Sequence, residues 1–214
     1  MAITVKNNFP EIARQLKLLE KEIADKALRS TVNKAAAKGR TIAIREITKT
    51  YNIKRVKVAP EVKLNKATKK VSGIVSTIRV IRFRAFNARQ FLETKVSLAQ
   101  ARRRKKAGTQ RDLLFNVKRS TGFQPITGSF IAQGRNSGAI VFKRIPGTVW
   151  AKRKRYAGTK HAERITGVSS IGIASMFSSK KVNIATIATV NNEFPRIFNK
   201  ELEFFLKKFN AQRA

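Results

Sequence analysis

The chain has 214 residues, with 47 Lys and Arg against 12 Asp and Glu, and its formal net charge at pH 7 is +35. Apolar residues make up 42 % of the sequence and include 14 Phe, so a substantial core can form. A protein with this excess of positive charge repels itself unless a polyanion or an acidic partner neutralises it. Nucleic acid is the usual partner of such a chain, followed by acidic proteins of a large assembly, with a membrane surface a weaker third.

The absence of cysteine excludes disulfides, thiolate metal sites and thiol catalysis. The first residues lack the apolar core of a signal peptide. The longest uncharged stretches, such as 165–179, are too short and too rich in Ser and Gly to cross a bilayer. These features predict a soluble, intracellular protein.

The positive charge is concentrated in the middle of the chain. Residues 51–160 carry 28 basic and only 3 acidic side chains, whereas both ends have the mixed charge of ordinary protein. The middle therefore has the composition of an anion-binding surface.

Two helical regions are predicted at the ends. Asn8 can cap a helix whose apolar residues recur at helical spacing, which predicts one bent helix or two helices over 9–50. Near the other end, Asn192 can cap a helix over 192–210, with Pro195 in its first turn. The apolar stripe of that helix is expected to pack in the core, with a peptide-binding groove as the alternative, and it consists of Phe194, Ile197, Phe198, Leu202, Phe205, Leu206 and Phe209.

An antiparallel sheet is predicted over 71–145, after a loop or irregular strand at 52–70. Ile78 and Val80 share one strand face, and a β-bulge between Val80 and Ile81 would keep the following apolar residues on that face. Strands at 94–98 and 113–117 are expected to pair across a cationic hairpin tip within 100–110.

A hairpin is predicted over 128–144, because two short apolar runs flank a glycine-containing loop. Pro146 and Gly147 should end its second strand and lead into a basic loop at 146–160. Residues 165–190 read as mostly irregular. The whole predicts one α+β domain over 1–214, in which terminal helices pack on an antiparallel sheet with long basic loops.

No catalytic constellation is evident, and no metal or cofactor site is predicted. His161 has no second histidine or acidic cluster beside it. Glu201 and Glu203 lie two residues apart on a helix and therefore diverge.

The candidate nucleic-acid site consists of the two basic runs, which a single sheet would display together. Such runs suit contact with the phosphate backbone, independent of base sequence. Trp150 and Tyr156 bracket the second run. The predicted DNA-binding residues are Arg102, Arg103, Arg104, Lys105, Lys106, Lys152, Arg153, Lys154 and Arg155.

Short motifs in a fixed order cover most of the chain. They include Ala27-Leu28, Asn33-Lys34-Ala35-Ala36, Arg45-Glu46-Ile47, Tyr51-Asn52-Ile53-Lys54, Phe86-Asn87-Ala88-Arg89, Gly128-Ser129-Phe130-Ile131-Ala132, Val141-Phe142-Lys143-Arg144, Gly167-Val168-Ser169-Ser170 and Met176-Phe177. With the amphipathic C-terminal helix, this series resembles the minor tail protein Z family of tailed bacteriophages.

The resemblance implies a structural tail-completion or neck protein rather than an enzyme. Such a protein would form a ring, a hexamer, at the head-proximal end of the tail tube, in contact with the tail terminator and the genome end. It would reside in the virion tail, and in the host cytoplasm during assembly. The alternative from a different class is a sequence-independent nucleic-acid-binding protein of ribosomal type. The Phe-rich C-terminal helix and the acid-containing N-terminal helix favour protein packing over RNA wrapping.

Overall fold

The computed structural model of the protein describes residues 2–3, 21–67, 69–70, 73–81, 84–93, 96–107, 112–134, 137–149 and 163–213. Helices and antiparallel strands are both present, and a long helix ends the chain. The predicted α+β class is therefore confirmed.

The helices of the described residues are α1 (Lys21–Thr50), α2 (Arg55–Val58), α3 (Leu98–Lys106), α4 (Ile173–Phe177) and α5 (Lys180–Arg213). Two short 3-10 helices lie at Ala88–Phe91 and Arg119–Thr121. The helical prediction is confirmed from residue 21 onward, and α1 runs to residue 50 without a break. Residues 9–20 of that prediction lie outside the described residues.

The strands of the described residues are β1 (Ala2–Ile3), β2 (Val62–Asn65), β3 (Lys69–Lys70), β4 (Gly73–Ile74), β5 (Thr77–Val80), β6 (Leu113–Phe115), β7 (Gln124–Ile126), β8 (Ser129–Gly134), β9 (Ser137–Val149) and β10 (Glu163–Gly167). They pair antiparallel in four small sheets, with strand orders β1-β5-β2, β10-β9-β8, β3-β4 and β6-β7.

The chain divides into two compact units. The helical unit comprises residues 1–49, 54–83 and 173–214, and the hairpin unit comprises residues 50–53 and 84–172. The single domain expected over 1–214 stays a prediction.

In the helical unit, α1 packs through a row of small side chains spaced four residues apart. Ala27, Thr31, Ala35 and Ala43 in this row are all buried. Gly39 stands in the middle of the row, where an added Cβ would lie 2.8 Å from Cγ2 of Val190 on α5. Because interiors are close-packed, a larger residue at this position would force the two helices apart.

The C-terminal helix is longer than the sequence analysis predicted. It begins at Lys180, so Asn192 is not its cap and Pro195 lies inside it rather than in its first turn. Residues 180–191 are rich in β-branched side chains, which lower helix propensity. Val182 and Thr186, four residues apart, are nevertheless fully buried on one helix face. Tertiary burial outweighs local propensity here.

The prediction that 165–190 is irregular is also wrong, because β10, α4 and the start of α5 occupy most of that stretch. In α4, Ile173 and Met176 are fully buried. An apolar run of only five residues has too few turns to show a helical period in the sequence.

The 52–70 stretch contains α2 and β2 rather than a loop or an irregular strand. Arg40 of α1 holds this part in place, since its Nε donates to the carbonyl of Val62 at 2.6 Å and its Nη2 to that of Ala59 at 2.8 Å. These hydrogen bonds join residues about twenty positions apart, so no local pattern reveals them.

In β5, Ile78 and Val80 are both buried, as their shared strand face predicts. The proposed bulge after Val80 is wrong. The strand ends there, Ile81 is exposed, and its N–H donates to the carbonyl of Glu61 at 2.9 Å. Arg82 and Phe83, the two residues after Ile81, lie outside the described residues.

The hairpin over 128–144 is confirmed by the pairing of β8 with β9. The expected break at Pro146 and Gly147 is wrong, because β9 continues to Val149. Gly147 has a φ of +75°, and the pairing of β9 with β10 shifts register between Glu163 and Arg164. The Pro-Gly pair therefore makes an irregularity within a strand, as proline and glycine do where a ladder is interrupted.

Two carboxylates of α5 bind lysines of α1. Glu201 accepts hydrogen bonds from Nζ of Lys34 and from Oγ of Ser30, both at 2.5 Å. Glu193 accepts one from Nζ of Lys38 at 2.6 Å, and this bond holds the pKa of Glu193 below its usual range. Burial alone would raise the pKa of Glu201, but the hydrogen bonds from Lys34 and Ser30 lower it below its ordinary value of 4.5.

We expect Glu201→Gln to lower the free energy of unfolding at neutral pH by about 1 kcal/mol, since Lys34 is half exposed and its ion pair is partly screened. A carboxyl whose pKa is lower in the folded state than in the unfolded state stabilises the fold at pH values above its ordinary pKa. This stabilisation is lost as the pH falls through the pKa of the folded state. The difference between wild type and variant should therefore shrink below the ordinary value of 4.5.

Urea unfolding at neutral pH and at low pH measures this difference. Glu203→Gln, an exposed position on the same helix, is the control and should change little at either pH. A Glu201→Gln deficit that persists undiminished in acid would show that packing, not the ionised carboxylate, is the source.

Candidate nucleic-acid interface

The first basic run lies on a helix, which corrects the predicted hairpin tip at 100–110. Ser97 and Gln100 form a capping box: the N–H of Gln100 donates to Oγ of Ser97 at 3.2 Å, and the N–H of Ser97 donates to Oε1 of Gln100 at 3.0 Å. A Ser-x-x-Gln pair of this kind starts a helix. The sequence Ser97-Leu98-Ala99-Gln100 thus carried a signal that the sequence analysis missed.

The prediction of a strand at 94–98 is wrong for the described part of that range, because α3 begins at Leu98. Residues 94 and 95 lie outside the described residues. The other half of that expectation holds as a strand, but β6 pairs with β7, with Leu113 opposite Ile126 and Phe115 opposite Gln124.

One face of α3 is seated on an apolar cluster. Leu98 and Ala101 pack against the buried core of the hairpin unit, which consists of Ala88, Val96, Phe115, Ile131, Ala139 and Val141. Arg102, Arg103, Arg104 and Lys106 are exposed, and the backbone of Lys105 continues the helix. Cations in the last turn also interact favourably with the negative end of the helix dipole. The fold thus presents these cations to solvent on a rigid element.

Aromatic side chains brace the hairpin beside α3. The rings of Phe130 and Phe142, opposite each other on β8 and β9, stack with centroids 5.9 Å apart. The guanidinium carbon of Arg144 lies 5.4 Å from the centroid of Phe130. Such stacking makes the strand pair a stiff base. A cleft of about 230 Å³ lies between α3 and β8, with Arg102 and Arg104 among its lining residues.

Asn87 joins three segments of the hairpin unit. Its Oδ1 accepts from the N–H of Val141 and of Arg89, each at 3.0 Å, and its Nδ2 donates to the carbonyl of Val168 at 3.2 Å. The N–H of Val168 in turn donates to the carbonyl of Val141 at 2.9 Å. Three of the motifs that carry the family resemblance, at 86–89, 141–144 and 167–170, therefore meet at one side chain.

The second predicted run, Lys152–Arg155, lies outside the described residues, as do Trp150 and Tyr156. The run falls in the chain segment between the end of β9 and the start of β10. That both runs are displayed by one sheet is wrong for the first run, which is helical. The DNA-binding role of both runs stays a prediction.

Catalytic and metal candidates are few. His161 lies outside the described residues, and Glu201 is paired with Lys34 while Glu203 is exposed. Across the described ranges, no group of three or more His, Cys, Asp or Glu side chains is placed to hold a metal ion. None of the helices in the described part of the chain is long and apolar enough to cross a membrane.

The fold and this surface define a basic α+β protein that presents exposed cations on a helix. The chain belongs to the prophage minor tail protein Z (GPZ) family, whose model matches residues 9–212. It is therefore a structural protein of the bacteriophage tail, located in the virion tail with other tail components. No curated protein and no solved structure matched the chain.

We expect Asn87→Ala to destabilise the hairpin unit by about 2 kcal/mol, because the polar backbone groups of Val141 and Val168 lose their side-chain partner. Asn87→Asp keeps the acceptor for Val141 and Arg89 but sets a second oxygen against the carbonyl of Val168, so it should recover only part of the loss. Hydrogen exchange of peptides from β9 measures both effects. Unchanged protection of β9 in Asn87→Ala would contradict the role given to this side chain.

Proposed function

We propose that this tail protein forms a hexameric ring at the head-proximal end of the tail tube. In that ring it contacts the tail terminator and binds the phosphate backbone at the genome end. Membership of the family supports the place in the tail. The observation that carries the DNA contact is the exposure of Arg102, Arg103, Arg104 and Lys106 on α3.

A helix suits this role better than a loose loop. The cations of α3 are held by a capped helix whose other face packs on the core, so little backbone entropy is lost when they meet phosphates. Arg102, Arg103 and Arg104 occupy successive helix positions and so diverge, and Lys106 stands one turn from Arg102. They therefore suit contact with the backbone, which fixes position without reading sequence.

Closing a ring brings the basic helices of several copies close to one another. Neighbouring copies then repel, and DNA that passes through the ring offsets the repulsion by neutralising the cations. This coupling makes the ring and the DNA contact mutually dependent.

Replacing Arg102, Arg103, Arg104 and Lys106 together by Gln should weaken DNA binding equally for all sequences. If the helix neutralises about four phosphates, the slope of log affinity against log salt should become shallower by roughly 3 to 4 units. Binding of the purified protein to duplex DNA over a salt series measures the slope.

The matched control removes the same charge elsewhere, with Gln at Lys54, Arg55, Lys63 and Arg79, all exposed in the helical unit. This control should keep most of the wild-type slope. An unchanged slope in the α3 variant would mean that the helix meets protein or solvent, and the DNA contact would have to be abandoned. Equal losses in both variants would mean that net charge alone drives binding.

We further expect the free protein to be monomeric and to close into a ring only on the tail. A net charge of +35 repels identical copies at low salt, and acidic partner surfaces or DNA offset that repulsion. Sedimentation of the purified protein, compared with images of assembled tails, tests this expectation. A stable, salt-insensitive dimer as the only form within assembled particles would overturn the ring.

A further inference from the structure

The helical unit contains an open groove between the first half of α1 and the last turns of α5. Its volume is about 790 Å³, more than three times that of the cleft beside α3. Apolar side chains from three elements reach it: Ile23 of α1, Leu64 of β2, and Phe205 and Phe209 of α5. Leu64, Phe205 and Phe209 are only partly buried, so the floor of the groove is incompletely covered.

The α1 side of the groove is one long face of the helix. The residues at 23, 26, 29, 30, 33, 34 and 37 line it, and Ile23 and Ala37 are its apolar members. At 1.5 Å per residue this face is about 21 Å long, the length of a helix of roughly four turns. The groove is therefore long enough for an α-helix lying along α1.

Positive charge surrounds the floor. Lys26, Arg29, Lys34, Lys66 and Lys208 line the groove and are exposed. Among the described residues, Glu201 is the carboxylate bonded to Lys34, and no carboxylate lies within salt-bridge distance of Arg29, Lys66 or Lys208. An occupant with carboxylates flanking its apolar face would complement this rim.

Two other occupants fit less well. DNA would neutralise the cations but leave Phe205 and Phe209 against water or phosphate. A second copy of this chain would bring further positive charge, since it carries 47 basic and only 12 acidic side chains.

We propose that the groove between α1 and α5 binds an acidic amphipathic helix of another tail protein. Apolar residues of that helix, spaced three and four apart, cover Leu64 and Phe205, and its Asp and Glu side chains meet Arg29 and Lys208. Membership of a tail family supplies the setting, in which neighbouring tail proteins are present. The inference does not depend on the DNA contact proposed for α3, and either can fail alone.

Photo-crosslinking in assembled tails tests the occupant. A benzophenone amino acid replaces Phe205, which lines the groove, and in a control replaces Phe204, which is 59 % exposed and does not line it. Mass spectrometry then identifies the crosslinked peptide. The expected result is an acidic helical segment of a different tail protein from position 205 and not from position 204.

Charge reversal gives a second measurement that does not require the benzophenone. Lys208→Glu should lower incorporation into tails, and the loss should depend on salt, because a rim charge acts mainly on the rate of association. Lys207→Glu, an exposed neighbour outside the groove, should change it little. Equal effects of the two variants would contradict the proposal.

The remaining crosslinking outcomes are also decisive. Products with DNA, with a second copy, or with residues 4–20 of the same chain would overturn the proposal, and so would a basic partner segment. The absence of any product at position 205 in tails that contain the protein would overturn it as well.

Discussion

Positive charge is the constraint on which the rest of this structure depends. With only 12 carboxylates for 47 cations, most basic side chains cannot be paired within the chain. Three of the carboxylates act at points where elements of the fold meet. Glu201 and Glu193 join α5 to α1 through Lys34 and Lys38, and Asp112 accepts the N–H of Gly128 at the entry to the hairpin. With so few acids against 47 cations, the surface of the protein is strongly cationic.

The helical unit tolerates this charge because its central contact is made by small uncharged side chains. Gly39 lets α1 approach Val190 and Thr186 of α5 closely. A Cβ added at Gly39 would lie only 2.8 Å from Cγ2 of Val190. Close approach buries apolar surface along both helices and places the lysines of α1 within reach of the carboxylates of α5. The ion pairs therefore depend on the packing of the two helices. This dependence is expected, because half-exposed ion pairs contribute little stability by themselves.

The sequence predicted the elements that depend on a local pattern of residues. It did not predict the elements that depend on contacts between residues far apart in the chain. The hairpin at 128–144 and the helix from residue 21 follow from periodicity, and the burial of Ile78 and Val80 from alternation. The capping box at Ser97 and Gln100 was local and readable, but the adjacent cations suggested an exposed loop instead. By contrast, Thr186 is helical because it is buried against α1, and Asn87 is central because Val141 and Val168 meet it. No spacing along the chain encodes those partners. Five of the nine candidate residues, Arg102–Lys106, lie in the described structure, and the basic character of both runs was evident from composition alone.

Charge alone does not distinguish the partners proposed for the two basic surfaces. The apolar surface around each set of cations also has to be compared. The cations of α3 are exposed, while Leu98 and Ala101 of the same helix pack on the core of the hairpin unit. The cleft beside α3 has a volume of about 230 Å³. That cleft has less than a third of the volume of the groove between α1 and α5, and phosphate contact needs no apolar surface. In the groove between α1 and α5, cations surround a floor that includes Phe205 and Phe209, and its volume is about 790 Å³. Covering that floor gains free energy only for an apolar partner, while the rim selects for an acidic one. The same excess of positive charge can thus serve two different contacts in one protein.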